Sequence, residues 1–310
     1  MQLIRGVQGL RGCGAGCALT IGTYDGIHLG HQALIARLRE HGARLGTASV
    51  LLTFEPTPRE YLTPAAPPAR LTSLRERWRI LSALQLDYLW LLRFGEGLRN
   101  LSAEEFAQLL VRALAPRVVV VGHDFRFAKH GQATGPILAE AGRRLGFEVD
   151  VLPAVTLDGE RVSSSGVRAA LAASDFERAR RWLGRAWSMR GRVQPGRALG
   201  ARLGFPTANV PLERRCSPVA GIFAVRVRGT GEGERPGVAS LGTRPTIGGG
   251  EALLEAHVFD FDGDLYGREI EVEFVARLRD EERFASLEAL TQQMERDAAE
   301  ARRILNPIPT

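Results

Sequence analysis

The sequence contains a single lysine, Lys129, among its 41 lysine and arginine residues. A P-loop requires the motif G-K-[ST], whose lysine reaches the nucleotide phosphates. Lys129 is followed by His130, so the motif is absent from the chain. Phosphate binding by a P-loop is therefore excluded.

Cysteine and long apolar runs are also scarce. The three cysteines, Cys13, Cys17 and Cys216, suggest no disulfide framework, and Cys13 and Cys17 lack the second pair of ligands that a zinc site needs. No apolar run approaches the roughly 20 residues that span a bilayer. The first six residues show no signal-peptide pattern. These absences predict a protein of the reducing cytoplasm.

The remaining composition is that of a globular protein, with 45% hydrophobic and 25% charged residues. Its 310 residues are enough for two domains, each with its own core. The net charge of +6 would suit nucleic acid, but the arginines are scattered among 35 acidic residues without a dense basic block. We therefore expect small anionic ligands and no nucleic-acid partner.

The most informative segment runs from Ile21 to His31 and reads I-G-T-Y-D-G-I-H-L-G-H. An apolar run precedes it and an amphipathic pattern follows, which predicts a strand, a glycine-containing loop and a helix. His28 and His31 fall at the start of that helix, where unpaired N–H groups attract anions. Gly30 would let a phosphate approach the backbone. A metal-binding pair is disfavoured because helical metal histidines are spaced by four; a purely structural pair is the alternative.

The first 183 residues alternate apolar runs with amphipathic ones, which predicts a doubly wound parallel sheet with helices on both faces. Strands are predicted at residues 17–21, 47–54, 88–94 and 117–122. Helices are expected after Thr72 or Ser73 and after Ser102, where Glu105 completes a capping box. Because ligands bind at the carboxyl ends of such strands, the loops after Ile21, Phe54 and Gly122 should converge.

From about residue 184 the pattern changes to period two. Phe223, Val225 and Val227 share one face of a predicted strand. A second strand places a longer series on one face: Ile270, Val272, Phe274, Ala276 and Leu278. One apolar and one polar face indicate an antiparallel sheet. With a final helix from Ser286 toward Arg303, this half predicts a small antiparallel β-barrel with a terminal helix.

Several motifs resemble those of the bacterial bifunctional riboflavin kinase/FAD synthetases. The first segment is similar to that family's G-x-Y-D-G-x-H-x-G-H, a form of the nucleotidyltransferase H-x-G-H signature. Residues 191–209, G-R-V-Q-P-G-R-A-L-G-A-R-L-G-F-P-T-A-N, are similar to its riboflavin kinase pattern. Residues 253–259 resemble its E-x-H strand, and residues 242–247, 261–267 and 278–284 resemble three further motifs. The resemblance covers nearly the whole chain, in order.

The resemblance implies a Rossmann-like nucleotidyltransferase domain over residues 1–183 and a riboflavin kinase-like barrel over residues 184–310. It implies phosphorylation of riboflavin to FMN, followed by adenylyl transfer from ATP to FMN, which yields FAD and pyrophosphate. ATP would be the co-substrate and Mg²⁺ the cofactor of both steps. The expected partners are riboflavin, FMN, FAD and ATP. We expect a monomer or weak homo-oligomer, with no membrane partner.

In the first domain the resemblance implies that His28, His31 and Arg168 act on the phosphates. Further nucleotide contacts are implied at Gly22, Tyr24, Asp25, Gly30, Ser164 and Ser165, and flavin contacts at Asp124, Phe125 and Arg126. We expect Arg168 in the first turn of a helix, where a cation opposes the helix dipole unless an anion is present. That position favours a phosphate ligand over a surface charge.

In the second domain the resemblance implies a flap over the ATP phosphates and a flavin site. The flap residues would be Gly196, Gly200, Gly204 and Pro206, and the flavin contacts Arg279 and Tyr266. Thr207 and Asn209 offer the hard oxygen ligands that suit Mg²⁺. Because the ribityl hydroxyl is neutral, the kinase needs a base. Alternation places Glu255 and His257 on one face, and Glu255 is the predicted base; a solvated strand residue is the alternative. Glu251 lies outside the alternating run.

Three departures from the family pattern fall in the first domain. Thr23 stands where the family usually has Asn, Thr57 where it has His, and Ala128 where it has Gly. They leave open a riboflavin kinase with a degenerate adenylyltransferase domain. A second alternative, of another class, is a flavin-binding regulator without turnover.

Overall fold

The computed structural model describes residues 1–6, 16–196, 199–212, 214, 216–231, 233–243 and 252–306. Its packing forms two compact units, one of Met1–Pro68 with Arg77–Ser163 and one of Ala69–Glu76 with Ser164–Thr310. Residues 164–183 thus group with the second unit, and the domain boundary at 183/184 stays a prediction. Of the positions singled out in the sequence, Cys13, Glu251, residues 197–198 of the flap and residues 244–247 lie outside the described residues.

The first unit contains a six-stranded parallel sheet. The strands of this unit are, in chain order, β1 (Gln2–Arg5), β2 (Cys17–Ile21), β3 (Ala48–Glu55), β4 (Tyr88–Arg93), β5 (Pro116–Gly122), β6 (Arg126–Phe127), β7 (Ala133–Thr134), β8 (Glu148–Leu152), β9 (Thr156–Leu157) and β10 (Glu160–Arg161). The main sheet has the order β1-β4-β3-β2-β5-β8, and two small hairpins pair β6 with β7 and β9 with β10.

Helices cover both faces of this sheet. They are α1 (Leu29–Leu45), α2 (Pro58–Leu62), α3 (Leu74–Ala83), α4 (Glu96–Arg99), α5 (Ala103–Leu114) and α6 (Gly135–Leu145), with a 3₁₀ turn at Lys129–Gly131. One core joins Leu19 and Leu52 to α5, and the other joins Leu51 to α1. The predicted capping box of Ser102 and Glu105 is confirmed. In α3, Ser73 is the cap, since its hydroxyl accepts the N–H of Glu76.

Strand order explains where the loops of this unit meet. The strand β2 lies between β3 and β5, and both pairings are parallel. The loops that follow Ile21, Glu55 and Gly122 therefore leave three neighbouring strands at one edge of the sheet, as predicted. The chain runs outward from β2 on one side and returns as β5 on the other, so this edge holds the topological switch point at which open α/β sheets bind ligands.

The second unit contains a nearly closed antiparallel barrel. Its elements are α7 (Ser164–Ala172), α8 (Phe176–Leu183), β11 (Ser188–Arg192), α9 (Leu199–Arg202), β12 (Ala208–Pro211), β13 (Gly221–Arg228), β14 (Glu234–Thr243), β15 (Ala252–Val258), β16 (Glu269–Arg279) and α10 (Leu287–Leu305). The sheet order is β11-β16-β13-β14-β15-β12. A bridge between Gln194 and Asn209 joins the two edges. The predicted barrel with a terminal helix is confirmed, and Ser286 caps α10.

One detail of the predicted barrel is wrong. The sequence pattern places Ala276 on the same face of β16 as Phe274. In the structure, Ala276 pairs with Ala224 and Phe274 pairs with Val225. These two partners are consecutive residues of β13 and face opposite sides. A register shift between these pairs marks a bulge, which reverses the alternation beyond it. Phe274 therefore packs with Phe223 in the barrel, while Ala276 and Leu278 pack with α10. Among the described residues, no helix is both long and apolar enough to cross a membrane.

A buried ion pair holds the segment Ala69–Glu76 within the second unit. Arg214 and Glu76 lie 2.5 Å apart, and both are almost fully buried. The other Glu76 oxygen accepts the N–H of Arg190 at 2.9 Å, and Arg214 donates to the carbonyl of Arg70 at 3.2 Å. A buried charge is tolerated only when it is paired and hydrogen-bonded in this way.

We expect Arg214→Met to lower the free energy of unfolding by about 3 kcal/mol, because Glu76 would keep a buried charge without its cation. Urea titration at neutral pH measures the loss. Arg303→Met is the matched control, since Arg303 pairs with Glu300 on the surface and such pairs contribute at most about 1 kcal/mol. Equal losses in the two variants would contradict a special contribution from the buried pair.

Candidate active sites

Two stacked imidazoles lie at the start of α1. His28 is the N-cap residue, and its Nδ1 accepts the backbone N–H of His31 at 3.4 Å. The ring centroids are 3.7 Å apart, with 19° between the ring planes. Since Nδ1 is the acceptor, the neutral ring of His28 carries its proton on Nε2. Two imidazoles thus stand at a helix N-terminus, as predicted, where the partial positive charge favours an anion.

Tyr24 supports His31 from the core. Its ring centroid lies 4.8 Å from that of His31, and its hydroxyl lies 2.5 Å from the hydroxyl of Thr20. Burial raises the pKa of the Tyr24 phenol well above its ordinary value, so the side chain is neutral. The neighbouring Asp25 is also buried. Nucleotide contacts at Tyr24 and Asp25 stay predictions.

Two glycines of this loop make room for the rings. A Cβ on Gly30 would lie 3.1 Å from two atoms of the His28 imidazole, and a Cβ on Gly22 would lie 3.0 Å from the Tyr24 ring. Neither position allows a larger side chain without a shift of the ring beside it. The sequence analysis predicts that Gly30 allows a phosphate to approach the backbone. The structure adds a packing reason, because the His28 ring lies against this glycine.

Both substituted threonines have defined contacts. The carbonyl of Thr23 accepts from Arg77 at 3.0 Å and from Thr53 at 3.2 Å. Thr57 caps α2 in a capping box with Glu60, whose carboxylate accepts the hydroxyl proton of Thr57 at 3.0 Å. Thr57 therefore stabilises the helix at the position where the family has an imidazole.

The loop after β5 holds the three residues predicted to contact the flavin. Asp124 pairs with Arg161, and the ring of Phe125 stacks on that of Phe127 with centroids 5.4 Å apart. Arg126 begins the hairpin of β6 and β7 and is exposed. The loop follows the strand next to β2, so the sheet brings it to the same edge as His28.

The position of Arg168 corrects one expectation. The helix α7 begins at Ser164, which places Arg168 fifth in the helix, in the second turn rather than the first. Its Nε donates to the carbonyl of Ala69 at 2.6 Å. Ser164 and Ser165 are the first two residues of the same helix. All three belong to the second unit, whereas the two histidines belong to the first.

A cavity of about 820 Å³ opens in the second unit. Its walls include one residue of each predicted group, namely Gly200 of the flap, the metal ligand Thr207, the base Glu255 and Arg279 of the flavin site. His257 lines it as well. The volume lies in the range of pockets for drug-sized ligands, about 300–1,000 Å³. The structure thus brings together residues that are up to 79 positions apart in the chain.

Register brings polar groups beside Glu255, a residue of the cavity wall. Glu255 pairs with Asn209 of β12 and with Ser240 of β14. Residues directly opposite in an antiparallel pair share a face, with Cβ atoms about 5 Å apart. Along β15, Glu255 and His257 are partly exposed while Leu254, Ala256 and Val258 are buried, which confirms the predicted alternation.

The amide oxygen of Asn209 fits a metal ligand. It is buried, and no donor among the described residues hydrogen-bonds to it. The amide nitrogen donates to the carbonyl of Thr207 at 3.3 Å. A Cβ on Gly196 would lie 2.3 Å from this amide, so Gly196 packs directly on it. A buried acceptor without a donor is costly unless a cation or water satisfies it, and amide and hydroxyl oxygens suit Mg²⁺.

Sequence reasoning missed the residues that hold Arg279. Asp297 of α10 binds the Nε of Arg279 at 3.0 Å and a terminal nitrogen at 2.8 Å, and it accepts from Gln293 at 2.9 Å. Phe284 lies 5.6 Å from the Arg279 guanidinium. The carboxylate of Asp297 therefore neutralises Arg279 beside the cavity. The two residues lie in different elements, β16 and α10, so no periodic pattern within one element indicates the pair.

Tyr266 lies apart from the other predicted flavin residues. It is 58% exposed, and its N–H donates to Asp264 in its own loop at 2.8 Å. The lining of the cavity does not include it. Gly204 and Pro206 are exposed in the segment that leads into β12 and are likewise outside the lining.

The chain matches two family models, FAD synthetase over residues 11–166 and riboflavin kinase over residues 183–305. It is 47% identical to the bifunctional riboflavin kinase/FMN adenylyltransferase of Pseudomonas fluorescens, with 99% of each chain covered. Identity to the enzyme of the same description from Escherichia coli K12 is 43%, with 97% of each chain covered. A crystal structure described as a macrolide-efflux protein from Streptococcus pneumoniae aligns at a TM-score of 0.79 and 28% identity, covering 98% of this chain and 99% of that one.

We expect Gly30→Ala to slow adenylylation of FMN by about 3- to 10-fold, because the added methyl group lies 3.1 Å from the His28 ring and displaces it by a fraction of the roughly 1 Å that costs about 100-fold. The rate of FAD formation from supplied FMN and ATP measures the loss. Gly97→Ala is the matched control, since a Cβ there meets nothing within 4 Å. An unchanged rate in Gly30→Ala would show that the position of His28 does not limit the reaction.

Proposed function

The chain belongs to the family of bifunctional riboflavin kinase/FMN adenylyltransferases, and from this premise we propose which residues carry each reaction. The protein phosphorylates riboflavin to FMN and adenylylates FMN to FAD, with ATP as the co-substrate of both steps. The observation that carries the proposal for the kinase is the pairing of Glu255, which lines the cavity, with the buried Asn209.

Glu255 is the general base of the kinase. The terminal ribityl hydroxyl of riboflavin is neutral, so its proton must leave as the oxygen attacks the γ-phosphorus of ATP. The Glu255 carboxylate takes that proton, the new O–P bond forms, and the bond from the γ-phosphorus to the β-bridging oxygen breaks to release ADP. Thr207 and Asn209 would hold Mg²⁺, which supplies positive charge to the transferring phosphate when it is bound.

The adenylyltransferase reaction needs no base. The phosphate of FMN is already an anion, and its oxygen attacks the α-phosphorus of ATP while pyrophosphate leaves. The task of the site is to position two anions and to balance the charge that develops between them. His28, His31 and the N-terminus of α1 suit this task by their geometry, and Arg168 is proposed as a further phosphate ligand.

We propose that residues 1–183 form the adenylyltransferase domain and residues 184–310 the kinase domain. The two family models support this division, because the first match ends at residue 166 and the second begins at residue 183. We further propose a cytoplasmic monomer or weak homo-oligomer whose ligands are riboflavin, FMN, FAD and ATP. Scattered arginines without a dense basic block support the absence of a nucleic-acid partner.

Replacement of the base should separate the two activities. We expect Glu255→Gln to reduce FMN formation by roughly 10²- to 10⁴-fold, the usual contribution of a general base, and to leave adenylylation of supplied FMN unchanged. Fluorescence-detected chromatography of riboflavin, FMN and FAD measures both. Glu273→Gln is the matched control, because Glu273 pairs with Arg228 and is not part of the cavity wall. Equal loss of both activities would refute separate sites.

A substitution in the first unit should impair the adenylyltransferase reaction and leave the kinase reaction intact. We expect His31→Ala to reduce FAD formation from supplied FMN by about 10²-fold, because a donor for the developing phosphate charge is lost, while FMN formation from riboflavin continues. The kinase reaction of the same preparation is the internal control for folding. Intact FAD synthesis in this variant would refute the phosphate role of His31. A wild-type protein that makes only FMN would favour a degenerate adenylyltransferase domain.

A further inference from the structure

His257 joins the wall that carries the base to the segment that carries Thr207. It follows Glu255 by two residues on β15, lies on the same face and lines the same cavity. Its Nδ1 lies 2.8 Å from the carbonyl oxygen of Pro206. A carbonyl oxygen only accepts, so Nδ1 carries the proton and donates it to this bond. The residue after Pro206 is Thr207, a proposed metal ligand.

The chemistry of proline makes this bond important. Pro206 has no N–H, so its carbonyl is the one hydrogen-bonding group of its backbone. The carbonyl belongs to the peptide plane that joins Pro206 to Thr207. A donor fixed on a barrel strand therefore sets the orientation of that plane, and with it the point from which the side chain of Thr207 leaves the backbone.

The ring of His257 makes a second contact with the same segment. It lies edge-on to the ring of Phe205, with centroids 5.2 Å apart, and edge-on to Phe259 at 5.7 Å. The turn before it is tight, since the N–H of Phe205 donates to Gly200 at 2.8 Å. A Cβ on Gly200 would lie 2.4 Å from the Phe205 carbonyl. The imidazole thus touches the two residues that precede Thr207, one through its edge and one through its N–H.

We propose, on the basis of the kinase function assigned above, that His257 is a positioning residue for phosphoryl transfer. Its Nδ1–H holds the Pro206 carbonyl and so fixes the Thr207 hydroxyl beside Asn209 and Glu255. The base and the proposed metal ligands are then held to a common strand, β15: Asn209 by its pairing with Glu255, and Thr207 through His257.

Two substitutions of His257 separate the hydrogen bond from the ring. His257→Asn places an amide N–H near the position of Nδ1 and removes most of the ring. His257→Phe keeps a ring against Phe205 and Phe259 but has no donor. Both are made in the full chain, and adenylylation of supplied FMN reports in each whether the preparation is folded and competent.

Kinetics give the first readout. We expect His257→Phe to lower the kcat of riboflavin phosphorylation by about 10- to 100-fold, the usual loss when a reacting group is displaced. The Mg²⁺ concentration for half-maximal rate should rise in parallel. His257→Asn should restore the rate to within about fivefold of wild type, because the donor is retained. Equal rates in the two variants would overturn the proposal.

Hydrogen exchange gives a second readout that does not depend on activity. In the ligand-free protein, the Phe205 amide should exchange about fivefold faster in His257→Phe than in wild type, the effect of one lost hydrogen bond on local opening, and His257→Asn should match wild type. Equal exchange in the two variants would refute the role of the bond. Failure of the base assignment would appear differently, as an active Glu255→Gln enzyme with this exchange difference intact.

Discussion

The antiparallel pairing of β12 with β15 is the constraint on which the proposed chemistry of the second unit depends. It sets Asn209 opposite Glu255, and the pairing of β15 with β14 sets Ser240 opposite Glu255 on the other side. A slip by one residue would turn each side chain of the strand to the other face. The apolar residues of β15 prevent this slip, because Leu254, Ala256 and Val258 are buried in the current register. The core of the barrel thus fixes the positions of its polar wall.

In the first unit, a helix terminus rather than a strand pairing positions the polar side chains. The N-terminus of α1 places partial positive charge at one point, and the two imidazoles stack there. Glycines at positions 22 and 30 admit the rings, and the buried phenol of Tyr24 supports His31. The polar groups of the two units differ because the nucleophiles of the two proposed reactions differ. An anionic phosphate needs donors and positive charge, whereas a neutral hydroxyl also needs a carboxylate to take its proton.

Local patterns predicted much of the fold because their causes are local. The capping box of Ser102, the cap of α10 at Ser286 and the alternation of β15 each depend on residues a few positions apart. The features that local patterns missed have distant causes. A bulge against β13 moved Ala276 to the α10 side of β16, and the partner of the Arg168 guanidinium is the carbonyl of Ala69, 99 positions away. The pair of Arg279 and Asp297 is of the same kind, since tertiary packing alone brings these residues together.

The contacts of the two substituted threonines bear on the alternative of a degenerate first domain. At Thr23 the backbone carbonyl receives hydrogen bonds from Arg77 and Thr53. Any side chain at this position can present the same carbonyl. At Thr57, where the family has an imidazole, the hydroxyl caps α2. The helix that follows β3 therefore has a stabilised N-terminus. The two threonines therefore keep defined backbone contacts. The third departure, Ala128, has a φ of 64°, a left-handed conformation that suits the glycine of the family better than an alanine. The cause of any loss of adenylyl transfer would therefore be sought in the missing imidazole at Thr57 and in the loop at Ala128.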